Sequence, residues 1–129
     1  MYLGIDASLS EIISLYYGDK TRLERRDFSL LGEGSLLASI DSLLNDLGQP
    51  MTALKGITVV VGHGRWTAIR VAVVVANSLA YTLAVPVVTV GSPDELGVSF
   101  VMLQTKPAGE YVLPVYNGEA RIGPRVSSL

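Results

Sequence analysis

Three short runs near the start of the chain are rich in β-branched and aromatic residues and are separated by turn residues. They cover residues 1–5, 11–17 and 21–30, and the turns between them contain Ala7-Ser8-Leu9-Ser10 and Gly18-Asp19. Runs of this length joined by short turns are typical of β-hairpins, so the pattern predicts three adjacent antiparallel strands. The third run carries many charges, which suits the exposed edge of a sheet.

Leucine and isoleucine recur at spacings of three and four over the next stretch, from Leu36 through Ile40 to Leu47. Polar residues occupy the intervening positions, which is the pattern of an amphipathic helix that buries one side. A glycine–serine pair at 34–35 provides a start signal, and the glycine and proline that follow residue 47 provide a stop. The sequence therefore predicts a first helix over 36–47.

A strand, a turn, a helix and a second strand follow in the middle of the chain. Residues 57–61 form a continuous apolar run of the kind found inside parallel sheets. A glycine-containing turn at 62–64 leads into a predicted helix over 65–83, and residues 86–90 are the next apolar run. This order predicts a βαβ unit after the hairpins. Beyond it, the pattern favours a short helix over 94–104, a short strand over 111–116 and a polar tail over 121–129.

The predicted helix over 65–83 has an apolar surface too wide for one sheet to cover. On a helical wheel, one apolar arc contains Val71, Val75 and Leu79, and we expect this arc to face the sheet. The second arc has alanines one turn apart, which would allow another helix to approach closely. Together with outward residues of the first helix, it forms a candidate interface with a second molecule, made of Trp66, Ile69, Ala72, Val73, Ala76, Ala80, Leu36 and Ile40. The alternative is that the chain's own core covers both arcs.

Length and composition place the chain among single-domain globular proteins. It has 129 residues, of which 49% are hydrophobic and 17% charged, and this balance excludes a disordered chain. The net charge of −2 argues against a protein that binds nucleic acid by bulk charge. The absence of cysteine excludes disulfides, a thiol nucleophile and a zinc–thiolate site. We expect one domain over 1–129, with a core lobe over 1–92 and a short variable segment over 93–129.

One long uncharged stretch, from Val71 to Pro93, could be mistaken for a membrane span. It contains several polar residues and is interrupted by Pro86, where a spanning helix would have to continue. A buried helix followed by a buried strand accounts for it better. The chain also begins without the basic residues of a signal peptide. We therefore expect a cytoplasmic protein that does not enter a membrane.

Two turns carry residues that could bind phosphate. Asp6-x-Ser8-x-Ser10 resembles the first phosphate loop of actin-like, sugar-kinase and heat-shock ATPases. Gly62 and Gly64, between a strand and a helix, could cradle an anion, although the dinucleotide and NTPase fingerprints are incomplete. His63 is the only histidine and has no nucleophile beside it. The residues predict no catalytic centre, no metal site and no cofactor, and the two turns are candidates only for a vestigial nucleotide site.

The segment over 57–71 also resembles the signature of the bacterial TsaB family. That family has an apolar run and then Gly-x-Gly-Ser-Phe-Thr-Gly-Leu/Val-Arg-Ile-Gly. The chain matches it at Gly62, Gly64, Thr67 and Arg70, and Trp66 replaces the family's aromatic residue. It departs from the family in lacking the usual second lobe and at four signature positions: His63, Arg65, Ala68 and Ala72.

The likeness covers residues 1–92 and implies a specific fold and role. The fold would be a single lobe of the actin-like ATPase (ribonuclease H-like) type, with a mixed five-stranded sheet whose first, fourth and fifth strands are parallel. TsaB proteins resemble TsaD but are its non-catalytic partners in making threonylcarbamoyladenosine at position 37 of tRNA. They pair through their first two helices, with themselves or with TsaD, and an associated ATPase completes the machinery.

The resemblance therefore implies a scaffold that contacts tRNA only indirectly, and it leaves homodimer and heterodimer open. Two other interpretations remain. The chain could be a small nucleotide-binding or phosphotransfer enzyme that uses the Asp6/Ser8 turn and the Gly62–Gly64 loop. It could also be a degenerate paralogue that serves a different partner.

Overall fold

The computed structural model describes residues 1–8, 11–19, 21–29, 35–62, 66–110 and 112. These residues form one five-stranded sheet and three α-helices. The strands are β1 Tyr2–Asp6, β2 Ile12–Asp19, β3 Arg22–Ser29, β4 Gly56–Val60 and β5 Val87–Val90. The helices are α1 Leu36–Asp46, α2 Trp66–Leu83 and α3 Leu96–Leu103, with 3-10 turns at Met51–Ala53 and Pro93–Glu95.

The sheet has the strand order β3-β2-β1-β4-β5. β1 and β3 each pair antiparallel with β2, as the hairpin signals predict. β1 pairs parallel with β4, and β4 pairs parallel with β5. The prediction of a mixed five-stranded sheet with parallel first, fourth and fifth strands is therefore confirmed.

Successive side chains of each strand point to opposite faces of the sheet, and each face has its own apolar cluster. Leu3 and Ile5 of β1 lie in the larger cluster, together with the inward residues of α1 and α2. The smaller cluster lies on the other face and contains Val60, Val88, Leu96, Phe100 and Leu103. Helices thus cover both faces of the parallel part of the sheet.

Helix α3 lies close to the sheet because small residues allow it. A Cβ atom on Gly4 would lie 2.7 Å from Leu96 Cδ2, so glycine leaves the space that this leucine fills. The helix is also tied to β4 by a buried hydrogen bond of 2.9 Å between the hydroxyls of Thr58 and Ser99. Contacts of both kinds fix α3 against β1 and β4.

Local signals set the beginnings of two helical segments. Ser35 caps α1, because its Oγ accepts a hydrogen bond of 3.1 Å from the backbone N–H of Ala38. Ser92 and Glu95 form a capping box around the 3-10 turn that leads into α3. The short helix predicted over 94–104 is thus present. The strand predicted over 111–116 and the tail over 121–129 lie outside the described residues, apart from Val112.

Candidate partner-binding face

Helix α2 packs on β4 and β5 through one side only. The residues on that side recur at spacings of three and four and are at most 2% exposed: Ile69, Ala72, Val73, Ala76 and Ala80. Three of the five are alanines, whose small side chains let the helix lie close to the sheet and to α1. All five belong to the chain's larger apolar cluster.

This burial corrects the predicted interface. Ile69, Ala72, Val73, Ala76 and Ala80 were expected on a seam with a second molecule, but the chain's own core covers them. Leu36 and Ile40 of α1, predicted on the same seam, are buried as well. A helical wheel separates two apolar arcs without saying which of them meets the sheet, and the arc with the alanines is the one that does. Of the predicted interface residues, Trp66 alone lies at the surface, half exposed.

The outward side of α2 is an apolar surface that the described residues leave open, and α3 also exposes Val98, Val101 and Met102. We define the outer arc of α2 by its exposed residues Trp66, Arg70, Val71, Val74, Ser78 and Tyr81. Val74 lies near its centre and is 62% exposed, and Tyr81 is 73% exposed. Leu37 of the neighbouring helix α1 is also half exposed. A helix with apolar residues on both sides is usually covered on both sides.

A single charge lies within the outer arc. Arg70 is the only charged residue of α2, and its guanidinium lies 5.4 Å from the centre of the Trp66 ring. This distance is in the range of a cation–π contact, which orients both side chains at the start of the helix. The arc therefore combines large apolar side chains with one positioned arginine, a composition typical of protein–protein contact surfaces.

Helix α2 is also long and apolar enough to cross a membrane by length and composition alone. It is the one such helix in the part of the chain that the structure describes. A single helix of this kind is weak support for a membrane span, because core helices pass the same test. The packing of α2 on β4 and β5 favours a core helix. That the chain stays out of membranes remains a prediction.

Asp6, Ser8 and Gly62, the described members of the predicted phosphate-binding set, lie at the carboxyl ends of β1 and β4. Asp6 ends β1, pairs in register with Val60 and is only 4% exposed. Its Oδ1 accepts a hydrogen bond of 2.9 Å from the backbone N–H of Ser8, which makes a local turn. Gly62 follows β4, whereas Gly64 and His63 lie outside the described residues. Nucleotide binding by these turns stays a prediction.

A cluster of polar side chains lies across β2 and β3, on the same face of the sheet as Asp6. Ser14 Oγ donates to Asp27 Oδ1 at 2.7 Å, and Arg25 Nε donates to the same oxygen at 2.8 Å. The hydrogen bond from Arg25, followed by that from Ser14, lowers the pKa of Asp27 below its ordinary value. Burial raises the pKa of Tyr16, and the neighbouring Arg25 opposes that shift. Within the described ranges, no three acidic or histidine side chains are grouped closely enough to hold a metal ion.

The comparison with protein families decides the family. The model described as TsaD, tRNA N6-adenosine threonylcarbamoyltransferase, matches residues 33–113, which is more than half of the chain. The chain belongs to the TsaD family. The match includes α1, β4, α2, β5 and α3, so it extends beyond the resemblance over 1–92 that the signature carries. No curated protein matches the sequence.

Solved structures place the chain within this family as a TsaB/YeaZ-like protein. YeaZ from Pseudomonas aeruginosa matches with a TM-score of 0.59 and 29% sequence identity. A second structure, described as an uncharacterized protein with similarity to peptidase YEAZ from Pseudomonas aeruginosa, matches with the same values. The match covers 70% of this chain but only 43% of the YeaZ chain, so this chain spans less than half of its relative's length. The predicted family and its actin-like ATPase fold are confirmed, and the described residues form one lobe.

Proposed function

We propose that the chain is a non-catalytic partner subunit of the machinery that makes threonylcarbamoyladenosine at position 37 of tRNA. It binds a TsaD-like enzyme, or a second copy of itself, through the outer arc of α2 and the adjacent surface of α1. The chemistry, any metal and any nucleotide belong to TsaD and to an associated ATPase, so tRNA is contacted only through those partners. The protein acts in the cytoplasm.

The observation that supports this role is the exposure of the outer arc. Val74, Val71 and Trp66 are each at least half exposed although the opposite side of the same helix is fully buried. Covering these side chains on association would remove apolar surface from water, which is the main favourable term in most protein association. Arg70 supplies a fixed positive charge that a carboxylate on the partner can meet.

The test uses two matched substitutions that place a carboxylate on opposite sides of the sheet. Val74→Asp changes the centre of the outer arc, and Val98→Asp changes a residue of α3 that is similarly exposed, at 66%. We expect Val74→Asp to weaken association with purified TsaD, or self-association, at least tenfold while circular dichroism stays unchanged. Val98→Asp is expected to leave both the association and the circular dichroism unaltered. A wild-type chain that sediments as a monomer, alone and with TsaD, would refute the role.

The second interpretation, a small nucleotide-binding or phosphotransfer enzyme, rests on the buried carboxylate of Asp6 at the carboxyl ends of two parallel strands. Ligands of open α/β sheets bind at this end of the strands. Calorimetry with ATP and magnesium separates the two interpretations. Binding by the isolated chain that is lost in Asp6→Ala supports the enzyme, and absence of binding supports the scaffold.

A further inference from the structure

The segment that follows α3 crosses from one face of the sheet to the other. Leu103, at the end of α3, is buried with Phe100 and Val88 on the α3 face. Val112 packs against the larger apolar cluster on the opposite face, beside α2. We call the described residues 104–110 and 112 the strap. The strap therefore connects the helix that covers one face to the helix that carries the outer arc.

Asn77 of α2 holds the strap at Val112 with two hydrogen bonds. The backbone N–H of Val112 donates to Asn77 Oδ1 at 3.1 Å, and Asn77 Nδ2 donates to the carbonyl oxygen of Val112 at 2.8 Å. One side chain thereby satisfies both backbone polar groups of Val112, as a neighbouring strand would. Within the strap, Lys106 Nζ lies 2.9 Å from Glu110 Oε1 and forms an ion pair. The two hydrogen bonds hold Val112 on α2, and the ion pair joins two residues within the strap.

The position of Asn77 brings the strap to the border of the outer arc. At about 100° per residue, Asn77 lies about 60° around the helix from Val74 and one turn before Tyr81. A shallow groove lined by Asn77, Ser78, Tyr81 and Thr82 crosses the same part of the helix. A helix that packs on α2 needs an apolar stripe about 100° wide. Asn77 also lies about 20° around the helix from both Trp66 and Arg70, within the sector that the outer arc spans. A partner helix that covers the whole outer arc therefore meets the docked strap.

We propose that the strap regulates the outer arc by competing with the partner for the C-terminal half of α2. The strap is docked on Asn77 when the arc is free, and a partner helix displaces it. This inference rests on the proposed function and adds a mechanism that regulates partner binding. Because linkage is reciprocal, strap docking and partner binding weaken each other by the same factor. Each of the two hydrogen bonds corresponds to roughly a fivefold change in an equilibrium constant, so losing both strengthens partner binding by up to roughly 25-fold.

The experiment compares Asn77→Ala and Asn77→Asp with the control Gln49→Ala, which removes an exposed amide side chain outside α2 and the strap. Hydrogen exchange of residues 104–112 in the isolated chain reports strap docking without any partner. Sedimentation, alone and with purified TsaD, reports binding. Asn77→Ala removes both hydrogen bonds, so we expect exchange to be at least fivefold faster and binding to be tighter. Asn77→Asp replaces the donor by an oxygen facing the Val112 carbonyl and is expected to act in the same direction. Gln49→Ala is expected to change neither the exchange of the strap nor partner binding.

The outcomes separate this inference from the proposed function. Faster exchange in Asn77→Ala with unchanged or weaker binding overturns the competition. Unchanged exchange overturns the role of Asn77 in holding the strap. If the wild type and every variant bind nothing although exchange responds to Asn77, the proposed function fails and the regulation fails with it. If the wild type binds but its affinity does not respond to Asn77→Ala, the inference alone fails.

Discussion

The hydroxyl oxygens of Thr58 on β4 and Ser99 on α3 lie 2.9 Å apart inside an otherwise apolar cluster. Both residues are at most 1% exposed. Ser99 Oγ also donates a hydrogen bond of 2.7 Å to the backbone carbonyl of Leu96, so the hydrogen between the two hydroxyls belongs to Thr58. The polar groups form a short chain that runs from the strand into the first turn of α3.

The direction of these hydrogen bonds predicts that two conservative substitutions lower the free energy of unfolding by unequal amounts. Thr58→Val keeps the shape and leaves the bond from Ser99 to Leu96 intact, so it should lower the free energy of unfolding by about 1 kcal/mol. Ser99→Ala leaves the Thr58 hydroxyl buried without an acceptor and should cost about 1–3 kcal/mol. Urea unfolding of both variants and of the double variant measures the difference. Equal costs, or a double variant equal to the sum, would contradict the proposed chain of hydrogen bonds.

Glycine positions allow a second comparison. A Cβ atom on Gly62 would clash with the backbone oxygen of Gly91, and the backbone there cannot move aside as a side chain can. A Cβ atom on Gly4 meets the flexible end of Leu96. We therefore expect Gly62→Ala to lower the melting temperature more than Gly4→Ala does.

The control for these glycines is Gly97, on the exposed side of α3. Nothing lies within 4 Å of a Cβ atom added there, so the space is open. Alanine is favoured over glycine in a helix by roughly 1 kcal/mol, and Gly97→Ala should therefore stabilise the chain. Thermal unfolding followed by circular dichroism ranks the three variants. A destabilised Gly97→Ala would show that α3 requires glycine for a reason other than packing.

The third prediction follows from the corrected interior of α2. Ala76 faces the core and is fully buried, so Ala76→Asp places a carboxylate among apolar side chains and should unfold the chain. If Ala76 lay on the predicted interface instead, the same change would dissociate an assembly and leave the fold intact. Circular dichroism and light scattering distinguish the two outcomes. Folded, monomeric Ala76→Asp from an associating wild type would mean that this side of α2 is not the core.

The same helix illustrates what the sequence can and cannot predict. Spacing identifies α2 and its two apolar arcs, because periodicity depends only on local geometry. Which arc meets the sheet depends on distant strands, and so the inward position of Ala72 and Ala76 could not be deduced. The pairing of Asn77 with Val112 and of Thr58 with Ser99 joins residues far apart in sequence, with no spacing rule to find it. Ser14 and Asp27 lie opposite each other because the hairpin pairs Asp19 with Arg22, and a turn at Gly18-Asp19, as predicted, would have given a different register.

The fourth prediction concerns pH and Asp27. The hydrogen bonds from Arg25 and Ser14 lower its pKa in the folded chain relative to the unfolded chain. A carboxyl group with a lowered pKa stabilises the fold above its unfolded pKa of about 3.9, and this contribution is lost as pH falls through the folded pKa. The side chain is half exposed, so solvent screening keeps the effect small. Asp27→Asn should therefore be less stable than the wild type near neutral pH.

The difference in stability between the wild type and Asp27→Asn should narrow as the pH falls below about 4. It should disappear at lower pH, where the wild-type carboxyl is protonated. This difference is measured by urea unfolding midpoints, from neutral pH down to the lowest pH at which both proteins still fold. Arg25→Gln is the matched variant, because it removes the larger cause of the shift and keeps the hydrogen bond from Ser14. It should retain only a minor part of the wild type's pH-dependent gain. A difference between wild type and Asp27→Asn that is constant with pH would mean that the shift does not contribute to stability.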